Sequence, residues 1–121
     1  MDVEQPEVTA AFYHRVLGFT EFARERDGRK LNCRLLKSDG VPSVILRLRQ
    51  TLGKRVTASQ PGTVSRLSFP CPKLAERADT DLASLVRLAP PMVIEGKVVS
   101  LTTHDPDGYI IELYSQLTQM L

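Results

Sequence analysis

The run that most constrains the fold is His104-Asp105-Pro106-Asp107-Gly108-Tyr109-Ile110-Ile111-Glu112-Leu113-Tyr114-Ser115. Asp-Pro-Asp-Gly is a tight-turn sequence. Pro106 presets φ for the second turn position, and Gly108 tolerates the positive φ that such turns demand. The β-branched and aromatic residues that follow predict a strand. Strand side chains alternate, so Glu112 shares a face with Ile110 and Tyr114, while Tyr109, Ile111 and Leu113 take the other. A carboxylate among apolar neighbours costs on the order of several kcal/mol unless it is paired or metal-bound. What compensates Glu112 is therefore the central question.

The chain of 121 residues predicts one domain with a real hydrophobic core. A net charge of +2, spread along the sequence, argues against nucleic acid or a membrane surface as partner. No apolar run approaches the length of about 18 residues that a membrane span needs, and no basic-plus-apolar leader is present. Cys33 and Cys71 lack metal-type spacing, so reduced thiols and a cytoplasmic location are expected. Ser65 and Ser68 have no histidine nearby, the glycines form no phosphate loop, and turn chemistry accounts for Asp105 and Asp107.

Taken in order, Pro6 suits the first turn of a helix and Gly18 suits its left-handed end. Val8, Ala11, Phe12 and Val16, with Tyr13 and Leu17, recur at helical spacing and predict a helix over Pro6–Leu17. Strands are expected at Phe19–Arg24, Lys30–Lys37 and Ser43–Gln50, and a linker over 51–62. The pattern then restarts. A strand at Thr63–Phe69 leads to a helix at Pro72–Leu88, with Leu74, Ala78, Leu82 and Leu85 on one face, stopped by Pro90-Pro91. Strands at Met92–Glu95 and Lys97–Thr103 precede the closing strand. The halves form an internal repeat, with module one at 1–50 and module two at 63–121.

Phe12-Tyr13-His14-Arg15-Val16-Leu17-Gly18-Phe19 and Asp105-Pro106-Asp107-Gly108, followed by Ile110-Ile111-Glu112-Leu113, span most of the chain. Together they resemble the vicinal oxygen chelate superfamily, which contains glyoxalase I, bleomycin resistance proteins, fosfomycin resistance enzymes and extradiol dioxygenases. The resemblance implies an α+β fold of two βαβββ-like modules whose curved mixed sheets form a cleft. Only Met1–Glu4 remain for the first strand of module one, which is expected to be truncated or missing. An uncovered sheet edge is a liability, and a homodimer is the expected cover.

In metal-dependent members the ligands are a His or Gln on the first strand of a module and a Glu on its last. Glu112 matches the closing Glu, the module-one Glu falls on Arg47, and the module-two His falls on Arg66. A guanidinium has no lone pair to give, so it cannot replace a ligand. No metal or other cofactor is expected for the chain alone, with a divalent metal as the alternative. His14 and His104 fall on no ligand position. Arg47, Arg66, Glu112, Tyr114 and Arg49 are the candidate ligand-binding residues, and the face of Arg34 depends on register. Two readings stay open for the arginines: a structural ion-pair cluster with Glu112, or surplus positive charge for an anionic ligand.

The leading functional expectation is a metal-independent protein that binds an anionic or hydroxylated small molecule. The alternatives are a metal-dependent enzyme, a glyoxalase-like lyase or dioxygenase whose site another chain completes, and a degenerate structural domain without ligand.

Overall fold

A computed structural model describes residues 1–27, 31–39, 43–51 and 66–115. The chain divides into two compact units, Met1–Gln60 and Pro61–Leu121. Residues 52–62 of the expected linker lie outside the described residues.

The first unit contains β1 (Asp2–Val3), α1 (Pro6–Leu17), β2 (Thr20–Asp27), β3 (Leu31–Lys37) and β4 (Ile45–Gln50). Its four strands lie in the order β1-β4-β3-β2, with β1 parallel to β4 and the other pairs antiparallel. The first strand of module one is thus truncated to two residues rather than missing. It is fixed where Asp2 pairs with Arg49 and Val3 with Gln50.

Helix α1 has the expected bounds because both punctuating residues act as their chemistry requires. Pro6 sits in the first turn, and Gly18 adopts φ 73° while its N–H bonds to the His14 carbonyl at 2.9 Å. Its buried face is rotated from the expected one. Pro6, Thr9, Ala10, Phe12, Tyr13 and Val16 are buried, whereas Val8 and Ala11 are exposed. The large residues decide this: Tyr13 meets Phe12 and Phe19 edge-on at 5.3 and 6.0 Å, and Thr9 stands one turn before Tyr13 on that stripe. Val3, Leu36 and Leu48 complete the core on the same side of the sheet.

The second unit contains β5 (Arg66–Pro70), α2 (Leu74–Arg77), β6 (Met92–Ile94), β7 (Lys97–His104) and β8 (Ile110–Tyr114). Strand order is β5-β8-β7-β6, again with one parallel pair, β5 with β8, beside antiparallel neighbours. Both units therefore place their first strand beside their last, which is the βαβββ arrangement. The helix is the difference. The expected Pro72–Leu88 helix stops after one turn, at Arg77.

Beyond it the backbone bonds turn irregular, with the Arg77 carbonyl taking the amides of both Thr80 and Leu82. Arg77 pairs with Asp81 at 2.7 Å, and the Thr80 hydroxyl donates to the Glu76 and Arg77 carbonyls. Thr80 thus bonds backbone carbonyls, whereas Asp81 bonds the Arg77 side chain. Arg87 then donates to the Ala78 and Leu82 carbonyls at 3.1 and 3.2 Å. Leu74, Ala78 and Leu82 still reach the core, so the helical spacing marks burial but not helix.

Candidate functional site

Each sheet has one buried side and one more open side, and ladder partners share a side. In the second unit, Phe69, Leu101, Ile111 and Leu113 are buried among the strand residues. The opposite side carries Arg66 and Ser68 on β5, Ile110, Glu112 and Tyr114 on β8, and Ser100, Thr102 and His104 on β7. The alternation read from the sequence thus places Glu112 correctly between Ile110 and Tyr114. The neighbouring strands make this face polar rather than apolar.

Glu112 is half-buried, and its Oε1 accepts the Ser68 hydroxyl at 3.1 Å. Ser68 is its ladder partner on one side and Thr102 on the other. Arg66 lies one side-chain step away along β5, beside Ile110, and is exposed. Among the described residues Arg66 and Glu112 form no ion pair. Tyr114 is half-buried at the end of the same face, opposite Pro70 and Ser100.

Arg47 and Arg49 share the open side of the first sheet, as alternation along β4 requires. Arg47 has a partner within its own sheet, Glu25, at 3.3 Å, with both side chains more than half exposed. Arg49 is exposed and pairs in the ladder with Asp2 and Cys33. Register sends Arg34 to the helix side with Leu48, where it reaches Glu21 at 3.5 Å. The hydrogen bond from Arg24, with charge from Arg34, holds the Glu21 carboxyl below the usual carboxylate range.

His14, His104 and Asp105 make local contacts with the backbone. His14 Nδ1 lies 2.9 Å from the Phe19 carbonyl oxygen, and His104 Nδ1 lies 3.0 Å from that of Asp105. The buried Asp105 carboxylate accepts the amides of Asp107 and Tyr109 at 2.9 and 3.0 Å, which pins the tight turn. Both cysteines are free and buried. Burial pushes the Cys71 thiol up, offset in part by the Arg77 guanidinium 3.6 Å away, so Cys71 is not an activated nucleophile.

Neither a protein-family model nor any curated protein matches the sequence. Solved structures do match. A glyoxylase/bleomycin resistance protein/dioxygenase domain from Frankia sp. EAN1pec superposes with a TM-score of 0.67 at 18% identity, over 94% of this chain and 85% of that one. TioX from Micromonospora sp. ML1 gives 0.67 at 17% identity, over 97% and 94%. The chain has the vicinal oxygen chelate fold. A variant of the fosfomycin resistance protein FosX from Listeria monocytogenes also shares it, at a TM-score of 0.66 and 16% identity, over 99% of this chain and 91% of that one. That structure holds Mn(II) and 1S,2S-dihydroxypropylphosphonic acid.

Metal-dependent vicinal oxygen chelate proteins need a set of imidazole and carboxylate donors. Here Glu112 is flanked by a serine hydroxyl, a threonine and a guanidinium, which has no lone pair to offer. Among the described residues no three His, Cys, Asp or Glu side chains come together. Among the described residues of the second unit this donor set does not fit a divalent ion. Sequence reasoning missed Ser68 as the partner of Glu112. The signal was the Arg66-x-Ser68 alternation, which becomes meaningful once β5 is laid beside β8.

Proposed function

We propose that the chain is a metal-independent small-molecule-binding protein of the glyoxalase/bleomycin resistance kind, holding an anionic or hydroxylated ligand on the open face of its second sheet. The observation that carries this reading is the Ser68–Glu112 hydrogen bond beside an exposed Arg66. Glu112 keeps one carboxylate oxygen that no described side chain engages, and it can accept a ligand hydroxyl. The Arg66 fork can hold a carboxylate or phosphonate. Tyr114 bounds the face with a ring and a hydroxyl.

The molecule solved with FosX, a dihydroxylated phosphonate, has this combination of groups. We infer in addition that the protein works as a homodimer in the cytoplasm. Among the described residues the outer edge of β4 is paired with Met1–Val3, and Val44 and Ile45 beyond it are 43% and 61% exposed. A second copy is the inferred cover.

The test is thermal unfolding with 1S,2S-dihydroxypropylphosphonic acid as the probe, in metal-free buffer and again with Mn(II). Ligand that binds only the native state raises stability by RT ln(1 + [L]/Kd), about 2.7 kcal/mol at a hundredfold excess over Kd. Stabilisation without metal that Arg66→Ala abolishes supports the reading. Stabilisation that appears only with Mn(II) moves the chain to the metal-dependent enzymes, and none under either condition leaves this ligand class without support.

A further inference from the structure

We propose that the second unit carries another small-molecule site, on the buried side of its sheet, and that this site takes an amphipathic zwitterion. It lies on the opposite side of the sheet from Glu112, so it does not depend on the reading given above.

The site follows from the shortness of α2. A helix of four residues spans about 6 Å, whereas a strand the length of β7 runs about 26 Å. The chain beyond α2 still covers part of the sheet through Ala78 and Leu82, but the Lys97–Val99 end borders an opening. There a pocket of about 740 Å³ opens between Pro72–Glu76 and the β6–β7 hairpin, with Ser115 also in its lining. This volume falls within the range of about 300–1,000 Å³ usual for ligand sites. Leu74 and Val99, both almost fully buried, contribute the apolar floor, and Ile94 a half-exposed wall.

Four charged residues line the same pocket: Lys73 and Glu76 from the α2 side, Glu95 and Lys97 from the hairpin. Among the described residues none of the four joins an ion pair. Two of them are also held in an unfavourable backbone conformation. Lys73 has φ 60° and Glu95 has φ 51°, and they are the only non-glycine residues with positive φ among the described ones. Glu95-Gly96 is a two-residue hairpin turn, where asparagine or glycine at the first position relieves the strain. Strained residues gather at ligand sites more than elsewhere.

The charges select the ligand. A simple anion gains from the two lysines and loses against the two glutamates, and a simple cation meets the reverse. A molecule with a carboxylate and an ammonium satisfies both signs, while its apolar body covers Leu74, Ile94 and Val99.

The test uses ¹⁵N-labelled full chain and three probes of equal chain length: 2-aminodecanoate, decanoate and decylamine. The expected result is saturable shifts of the Leu74, Val99 and Ser115 amides with 2-aminodecanoate, and affinities lower by about tenfold or more for the two singly charged probes. Lys97→Gln and Glu95→Gln each weaken 2-aminodecanoate by about tenfold, with the rest of the spectrum unchanged. No saturable shift overturns the proposal. So does equal affinity for a singly charged probe, or binding that neither variant alters.

Discussion

The two units repeat one backbone plan and fill it with different chemistry. Each places its first strand parallel to its last, and each buries one side of a four-stranded sheet. On the open side of the first sheet a guanidinium, Arg47, has found a carboxylate of its own sheet, Glu25. On the open side of the second, the carboxylate Glu112 takes a hydroxyl, and the guanidinium of Arg66 stands apart. The first face pairs Arg47 within its own sheet, whereas on the second, among the described residues, Arg66 and Glu112 form no ion pair. The buried sides differ as well. Twelve residues of α1 anchor the first, but one helical turn and a chain of side-chain bonds anchor the second. A fold survives such exchange because ladder geometry fixes where side chains stand, not what they are.

The largest expected effect tests the helical anchor of the first unit. Tyr13→Ala removes a side chain with no exposed surface and two edge-on ring contacts, and should cost about 3–5 kcal/mol in denaturant unfolding. A loss under about 1 kcal/mol would mean that α1 is not what holds that sheet. The second unit relies more on polar turn chemistry. Asp105→Ala strands two buried amides, and a loss of about 2–3 kcal/mol is expected by the same measurement.

On the open faces the effects should be small. Arg47→Ala breaks an ion pair exposed on both sides, and Glu112→Ala removes one hydrogen bond from a half-buried carboxylate. Each should cost less than about 1 kcal/mol. A loss near 3–5 kcal/mol from Glu112→Ala would reveal a buried charge cluster of the kind first expected from the sequence.

The smallest effect is the acid response of Glu21. Its carboxyl lies below the usual range chiefly because Arg24 donates to it. A depressed carboxylate stabilises the fold above its unfolded pKa, and that contribution disappears as pH falls through the lower folded value. Arg24→Ala should therefore lower stability slightly at neutral pH, flatten the profile below about pH 4.5 and leave the most acid end almost unchanged. Urea midpoints across that range read it, and equal profiles for both proteins would remove Arg24 as the cause.

Much of the fold was legible because it rests on local chemistry. Pro6 and Gly18 mark both ends of α1, and Asp105-Pro106-Asp107-Gly108 marks the turn before β8. Strand alternation gave the shared face of Glu112 and Tyr114 and that of Arg47 and Arg49. What stayed hidden depended on partners distant in sequence. The Ser68–Glu112 bond needs the β5–β8 register across 44 positions. Arg34 went to the helix side because β3 lies beside Leu48 of β4. The α2 error shows that periodicity reports burial and not backbone bonding: Leu74, Ala78 and Leu82 still reach the core, but past Arg77 the amides of Thr80 and Leu82 both go to the Arg77 carbonyl.

The central claim is that Glu112 answers to a hydroxyl and a ligand, not to a metal. Calorimetric titration of the full chain with Mn(II), repeated on Glu112→Gln, tests it most directly. The account predicts no stoichiometric binding by either protein at millimolar Mn(II). One equivalent bound by the unaltered chain and lost in Glu112→Gln would contradict it.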